Sequence, residues 1–187
     1  MKNYISCIEM SACSLGPHGP IQDWDVSGMA DMSGIFYESP GFDQDLSTWE
    51  VSAVNTMQAM FWQASAFNRD LSKWDVSAVT DIGYMFAGDP AFNQDLSKWA
   101  VSAVTIMYGT FHDASAFDQD LSKWNVSAVT DMGSMFLIAP SFNQDISKWD
   151  VSAVIDMASM FSAAYTFNQD LSKWDVSAVT HMGYMFY

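Results

Sequence analysis

Aromatic residues recur at a strict interval along this chain. One phenylalanine series places each member 25 residues after the one before it: Phe42, Phe67, Phe92, Phe117, Phe142 and Phe167. A second phenylalanine series and a tryptophan series keep the same interval, from Phe36 to Phe186 and from Trp24 to Trp174. A period of about 20 to 50 residues is typical of stacked supersecondary units that share one core. The sequence therefore predicts a tandem array of 25-residue coils.

Hydrophobic spacing within one copy predicts a strand followed by a short helix. Leu71, Trp74 and Val76 have the lead spacing of a leucine-rich repeat, and Trp74 and Val76 alternate with a polar residue as in a strand. From 79 to 86, apolar residues recur at intervals of three and four, which is the spacing of a helical face. We therefore expect an α/β repeat, a right-handed leucine-rich-repeat-like solenoid with one parallel strand and one short helix per 25-residue coil.

The repeat divides the chain into two parts. Residues 1–22 do not fit the period and are expected to form an N-terminal cap or linker. Residues 23–187 are predicted to form a solenoid of about six and a half repeats. The last predicted helix is followed directly by Tyr187, without the polar capping repeat that such arrays usually carry. This predicts a C-terminal end that is truncated or covered by a partner.

Charge and hydropathy narrow the range of partners. The formal net charge of −15 and an isoelectric point near 4.1 argue against a surface for the phosphate backbone of nucleic acids. Five lysines form a column that we expect, together with a neighbouring acidic column, to stripe a solvated sheet face: Lys73, Lys98, Lys123, Lys148 and Lys173. No apolar run approaches the roughly 18 residues of a membrane-spanning helix, and residues 1–20 lack the apolar core of a signal peptide.

An acidic column is the candidate metal site. It consists of Asp45, Asp70, Asp95, Asp120, Asp145 and Asp170. Oxygen ligands stacked at the spacing of neighbouring coils could hold calcium, which takes six to eight such ligands. The alternative is that each aspartate enters a turn and accepts backbone N–H bonds, so that a repeated turn repeats the residue. The loop lacks the glycines that let calcium-binding repeat turns wrap an ion, which favours the turn.

A repeat array offers several near-identical settings rather than one catalytic constellation. The three histidines, His18, His112 and His181, each lie in a different setting. His112 beside Asp113 is more typical of a solvated loop tip than of an acid–base pair. No glycine-rich phosphate loop, zinc-protease motif or nucleophile motif occurs. We therefore expect no enzymatic activity and no cofactor.

Both cysteines precede the repeats. Cys7 and Cys13 could close a small disulfide loop in an oxidising compartment, or they could stay reduced. Two cysteines do not decide between these states.

Two adjacent positions after the predicted helix change from copy to copy. Large apolar and aromatic side chains occur there, more than a solvated loop requires, and such residues can mark contact sites. They could equally pack beneath the next loop. The partner-binding candidates are Tyr37, Trp62, His112, Leu137 and Ile138.

The repeated unit resembles that of a known family. The segment F-N-Q-D-L-S-K-W-D-V-S-A-V-T-D-M-G-Y-M-F and its relatives along the chain resemble the repeat of BspA-like leucine-rich surface proteins, in particular the 25-residue lipoprotein-type branch. The likeness covers about residues 23–187. It implies a noncatalytic, cell-surface or secreted role in adhesion and protein binding, with no catalytic residues to carry over.

We therefore expect a noncatalytic protein-binding repeat module, acting in adhesion or recognition through the variable edge or the Lys/Asp stripe. An extracellular or cell-surface location is expected. The alternative is a structural scaffold subunit, packed permanently in a larger multiprotein assembly that could be organellar or membrane-associated. In both cases the partner is a protein.

Overall fold

The 25-residue period is the period of stacking. The computed structural model describes residues 19–187, in which successive copies lie one on the next as coils. Each coil pairs with the following one in parallel through one residue, along the series Asp31, Thr56, Asp81, Ile106, Asp131, Asp156 and His181. Within residues 19–187 the only helix is a 3-10 turn, Ile21–Asp23, and no strand is longer than one of these isolated bridges.

The prediction of an α/β solenoid with one strand and one short helix per coil is wrong. Trp74 and Val76 are buried and Asp75 is exposed, as the alternation predicts, but local turns satisfy the backbone there. The Trp74 N–H donates to the Leu71 carbonyl, and the Ser77 N–H donates to the Asp75 carboxylate. Because the backbone of the neighbouring coil does not pair with this stretch, the Lys/Asp stripe that was expected on a sheet does not lie on one.

The segment expected to be helical is a strip of consecutive turns, which we call the bridge strip: residues 31–38, 56–63, 81–88, 106–113, 131–138, 156–163 and 181–187. Alternate N–H groups donate to the next coil, as Tyr84 does to the carbonyl of Tyr108 at 2.8 Å. The groups between them donate three residues back, as Ala87 does to Tyr84. Intervals of three and four therefore arise without a helix.

Left-handed residues explain why the strip cannot be helical. Tyr84 has a φ of 57° and Gly88 one of 68°, and the same two positions are left-handed in nearly every coil. A right-handed helix does not tolerate such residues. Residues other than glycine adopt this left-handed backbone at a conformational cost. The two sets of backbone hydrogen bonds, one to the next coil and one to the residue three positions back, offset that cost.

Two phenylalanine ladders run through the core and contact each other. Within one coil Phe86 stacks on Phe92 at a ring-centre distance of 3.8 Å, and Phe86 stacks on Phe111 of the next coil at 5.8 Å. These rings are fully buried. Stacked aromatic pairs add to the free energy already gained by burying their area. The strict period is thus explained, because a shift of one residue would break both ladders.

The tryptophan column ties each coil to the one before it. The Trp99 indole Nε1 donates to the Leu71 carbonyl at 3.0 Å, and the same bond recurs in each coil from Trp49 to Trp174. The first of these reaches Ile21, so the described part of the segment preceding the repeats also joins the stack. Cys7, Cys13 and His18 lie outside the described residues.

Polar side chains form a second tie between neighbouring coils. The Asn93 side-chain oxygen accepts the backbone N–H of Asp118 at 3.0 Å and the side-chain amide of Gln119 at 2.8 Å. Asp118 does the same for Asn143 and Gln144. Asparagine, aspartate and glutamine therefore repeat in this loop for stacking.

Candidate partner-binding surface

The outer side of the bridge strip, here called the variable face, is where neighbouring coils differ most. Coils pair along this strip through backbone atoms, so its outward side chains can change without breaking the ladder. All five partner-binding candidates lie on it: Tyr37, Trp62, His112, Leu137 and Ile138. Tyr37 is 40% exposed and Ile138 is 43% exposed, whereas the other three are partly buried.

Four aromatic side chains make a continuous path across the variable face, which we call the aromatic diagonal. Tyr37 meets Trp62 edge to face at 4.7 Å between ring centres. Trp62 stacks on Tyr84 at 5.7 Å, and Tyr84 meets Tyr108 edge to face at 5.0 Å. The first contact stays within one column, and the next two pass from that column to two others. The repeat alone does not generate this arrangement.

Two glycines make room for the tyrosine rings. A Cβ at Gly109 would lie 2.7 Å from ring carbons of Tyr84, and a Cβ at Gly133 would lie 2.9 Å from ring carbons of Tyr108. Each ring therefore lies directly against the backbone of the next coil. Close approach, not backbone conformation, requires glycine here: Ala59 and Ser134 adopt the left-handed conformation of Gly109 in their own coils, and Gly133 is not left-handed.

The sequence prediction found half of the diagonal. The structure brings Tyr37 and Trp62 together, while His112, Leu137 and Ile138 lie further along the same face. Tyr84 and Tyr108 were missed because they belong to other columns of the strip. A signal was present: each tyrosine is followed 25 residues later by glycine, at Gly109 and Gly133.

Burial changes the titration of two groups on this face. Burial raises the pKa of Tyr84 to about 12, and a hydrogen bond with Tyr108 and the charge of Asp131 act in the same direction. Burial also lowers the pKa of His112, against the charge of Asp113. Near pH 7 Tyr84 is therefore protonated and neutral, and the imidazole of His112 favours its neutral form.

A shallow cleft of about 440 Å³ lies along one margin of the variable face. Its lining residues come from four coils: Glu38, Pro40, Gln63, Ser65, Gly88 and Asp113. Glu38 and Gln63 directly follow Tyr37 and Trp62 in the chain, so the cleft borders the aromatic diagonal. Its two charged residues, Glu38 and Asp113, are both acidic.

Carboxylates also follow the other margin, in the bridging positions. The Asp81 and Asp131 Oδ1 atoms accept N–H bonds from Gly83 and Gly133 at 2.8 and 2.9 Å. Burial raises the pKa of Asp131, and the charges of Asp156 and Asp81 raise it further, against the Gly133 bond. Like charges are therefore held close together on this margin.

One carboxyl group is buried beneath the surface. Asp89 is fully buried, and its Oδ1 accepts the Ala91 N–H at 3.3 Å. Its Oδ2 is the only buried side-chain oxygen or nitrogen within residues 19–187 that lacks a hydrogen-bond partner. Burial raises the pKa of Asp89 to about 8, so the group is mostly protonated at neutral pH.

The candidate calcium column is occupied by turn hydrogen bonds. Asp45, Asp70, Asp95, Asp120, Asp145 and Asp170 each accept the N–H of the serine two residues later, at 2.8 to 3.0 Å. The Ser72 N–H is the main cause of the lowered pKa of Asp70, and the charges of Lys73 and Lys98 add to it. In the described part of the chain, no three His, Cys, Asp or Glu side chains are grouped as metal ligands.

The geometry defines a class of protein: a tandem-repeat protein whose turn-rich coils stack on phenylalanine and tryptophan ladders and vary along one face. The family model described as "Mycoplasma protein of unknown function, DUF285" matches residues 8–124 and 107–187. The chain therefore belongs to the DUF285 family. No curated protein and no solved structure matches it. Across residues 19–187, helices of the length and apolarity needed to cross a membrane are absent.

Proposed function

We propose that this protein is a noncatalytic protein-binding repeat module that recognises its partner through the variable face. The observation that carries the proposal is the separation of two sets of residues. Side chains that repeat in every copy are used in the core and the inter-coil ties, whereas along the variable face backbone atoms make the inter-coil bonds and the side chains differ from coil to coil. There the chain has an aromatic diagonal beside an acidic cleft.

Aromatic side chains favour this face as a contact surface. Partly exposed tryptophan and tyrosine are enriched in the energetically important centres of protein interfaces. The diagonal presents Trp62 between Tyr37 and Tyr84, and the rings of Tyr84 and Tyr108 lie against glycine backbone. A preorganised surface of this kind loses little conformational entropy on binding.

The test compares the protein with a variant changed only on the face. Trp62→Ala introduces the residue that the next coil already has at Ala87, so the stack should be preserved. Both proteins are applied to an array of purified proteins, with Asp150→Asn as the control because Asn125 occupies that column naturally. We expect a set of proteins that bind the parent and the control and lose binding to Trp62→Ala. Binding that ignores Trp62, or no binding, would reject the proposal.

Adhesion at the cell surface is the more specific form of the proposal. It is supported by the resemblance of the 25-residue unit to BspA-like repeats. Protease treatment of intact source cells tests it. A surface protein should be cleaved while cytoplasmic markers stay intact. Protection from the protease, together with co-purification of a fixed set of partners, would instead favour the structural-subunit alternative.

A further inference from the structure

We infer that the variable face binds an extended peptide segment that carries arginine, with guanidinium groups stacked on the aromatic diagonal and paired with the carboxylates along its margins. This inference rests on the proposed function and specifies the chemistry of the partner. It combines three independent features of the face: the rings, the charge and the spacing between coils.

The rings offer the surface on which a cation is held most strongly. Trp62 is the best side chain for a cation–π contact, and it lies at the centre of the diagonal between Tyr37 and Tyr84. Arginine can stack its planar guanidinium on such rings while its N–H groups reach carboxylates. Tyr37 is exposed, and Trp62, Tyr84 and Tyr108 are only partly buried, so the path is open to solvent.

With histidine counted as neutral, the formal charge on the variable face is entirely negative. The seven segments of the bridge strip contain no lysine and no arginine. They contain six carboxylates: Asp31, Glu38, Asp81, Asp113, Asp131 and Asp156. Lys73, Lys98, Lys123, Lys148, Lys173 and Arg69 lie elsewhere, whereas the His181 Nδ1 lies within the strip at 4.0 Å from the Asp156 Oδ2. Arg69 pairs with Asp43 at 2.7 Å, and the lysine column lies beside the aspartates of the serine turns. A cationic partner is therefore complementary to this face, whereas an acidic partner would be repelled.

Repulsion within the face favours the same occupant. Asp131 is held near Asp81 and Asp156, and these charges disfavour its ionised form. The Gly133 bond uses one carboxyl oxygen of Asp131, so the other is available to a ligand. A guanidinium placed between these carboxylates would relieve the repulsion, and its N–H groups would form charge-assisted hydrogen bonds.

Coil spacing suggests the form of the segment. Neighbouring coils are expected at about 4.8 Å, which separates Asp81 and Asp131 by roughly 10 Å over two coils. A polyproline II segment rises about 3.1 Å per residue, so arginines three residues apart are separated by roughly 9 Å on one side. Aromatic-lined grooves are known receptors for such extended segments. The matching probe is a peptide with arginine at every third position.

The direct test titrates the full chain with a fluorescein-labelled (Arg-Pro-Pro)4 peptide and follows fluorescence anisotropy. Two variants address the face, Trp62→Ala and Asp131→Thr, and both introduce residues that the repeat already uses, at Ala87 and Thr56. Two matched controls lie off the face: Tyr165→Ser, which introduces the residue of Ser115, and Asp150→Asn. Circular dichroism checks that each variant is folded.

We expect each face variant to weaken binding about tenfold and each control to change it less than twofold. A (Glu-Pro-Pro)4 peptide should not bind. Equal losses in Asp131→Thr and Asp150→Asn would show general attraction to a chain of net charge −15 and would overturn the inference. Binding of the arginine peptide that is unaffected by Trp62→Ala would also overturn it.

A random 12-residue peptide display library separates this inference from the proposed function. Peptides that bind the parent but not Trp62→Ala, and that are enriched in arginine, support both. Peptides that require Trp62 but carry no excess of arginine overturn the inference and leave the proposed function in place. A selection that yields no peptide dependent on Trp62 counts against both.

Discussion

The two phenylalanine ladders and the aromatic diagonal use the same kind of side chain in opposite ways. In the ladders each ring stacks on its own copy 25 residues later, as Phe111 does on Phe136 at 5.7 Å. In the diagonal the contacts leave the 25-residue register after Trp62, which meets Tyr84 of another column, and Tyr84 in turn meets Tyr108 of a third column. The ladder rings from Phe61 to Phe142 are fully buried, and the diagonal is partly open to solvent.

The difference separates what stacking requires from what it leaves free. A buried column must repeat because each ring packs against the rings of the coils on both sides of it. Along the bridge strip the backbone makes the inter-coil bonds, so side chains there can differ from coil to coil. Substitutions in the two regions should therefore damage different properties: stability in the ladders and binding in the diagonal.

The largest expected effect comes from opening the ladder at its centre. Phe111→Ala removes a fully buried ring that stacks on Phe86, Phe117 and Phe136 and also contacts Trp124 at a tilted angle. We expect the free energy of unfolding to fall by about 3 to 5 kcal/mol, measured by urea denaturation. Trp62→Ala on the variable face is the matched aromatic truncation and should cost about 1 kcal/mol or less. Similar losses in the two variants would contradict the separation.

Asp89 is an inner position that departs from the pattern of its column. The neighbouring coils hold Ala64 and Ala114 there. The fold raises the pKa of Asp89 from 3.8 to about 8. The free energy of unfolding of the parent is therefore highest below about pH 4, where the carboxyl is protonated in both the folded and the unfolded state, and it falls as the pH rises through 8. Asp89→Ala should therefore be the more stable protein at pH 8, by on the order of 3 kcal/mol, with the advantage shrinking towards pH 4.

The measurement for Asp89 is thermal unfolding of both proteins from pH 4 to pH 9. Asp89→Asn keeps the shape of the protonated acid and should also lose the pH dependence that belongs to this group. A difference between parent and Asp89→Ala that does not change with pH would show that the carboxyl does not titrate in this range.

The tryptophan tie is expected to contribute less than a ladder ring. Trp99→Phe keeps an aromatic ring in the core but removes the Nε1 donor to the Leu71 carbonyl. That carbonyl still accepts the Trp74 N–H, so it is not left without a partner. We expect the free energy of unfolding, measured by denaturant titration, to fall by about 1.5 kcal/mol. The same change at Trp62 should cost less than about 0.5 kcal/mol. Equal costs would mean that the indole bond contributes nothing.

The sequence predicts the stack because periodicity directly reflects packing. Buried Phe86, Trp99 and Val101 are all found at predicted core positions. Secondary structure within the coil could not be predicted in the same way, because intervals of three and four arise from consecutive turns as well as from a helix. The deciding feature is left-handed backbone at residues such as Tyr84 and Gln63, for which those side chains give no signal.

The candidate surface was predictable only in part for a related reason. Copy-to-copy variation marks Tyr37 and Trp62, but it cannot reveal which columns meet across coils. Trp62 contacts Tyr84 at a separation of 22 residues, and Tyr84 contacts Tyr108 at a separation of 24. These contacts depend on ring orientation and on the space left by glycine, which only the three-dimensional arrangement supplies.

The smallest expected effect tests that use of space. Gly109→Ala places a Cβ 2.7 Å from the Tyr84 ring, although the left-handed backbone itself accepts alanine, as Ala59 shows. We expect the free energy of unfolding to fall by about 1 kcal/mol because the added Cβ displaces the Tyr84 ring. Tyr84→Ser introduces the residue that the repeat already uses at Ser134 and removes the ring, so Gly109→Ala should cost almost nothing in that background. A double-mutant cycle measured by denaturant unfolding gives the coupling directly. A coupling near zero would mean that the ring does not lie against Gly109, and the aromatic diagonal would then end at Trp62.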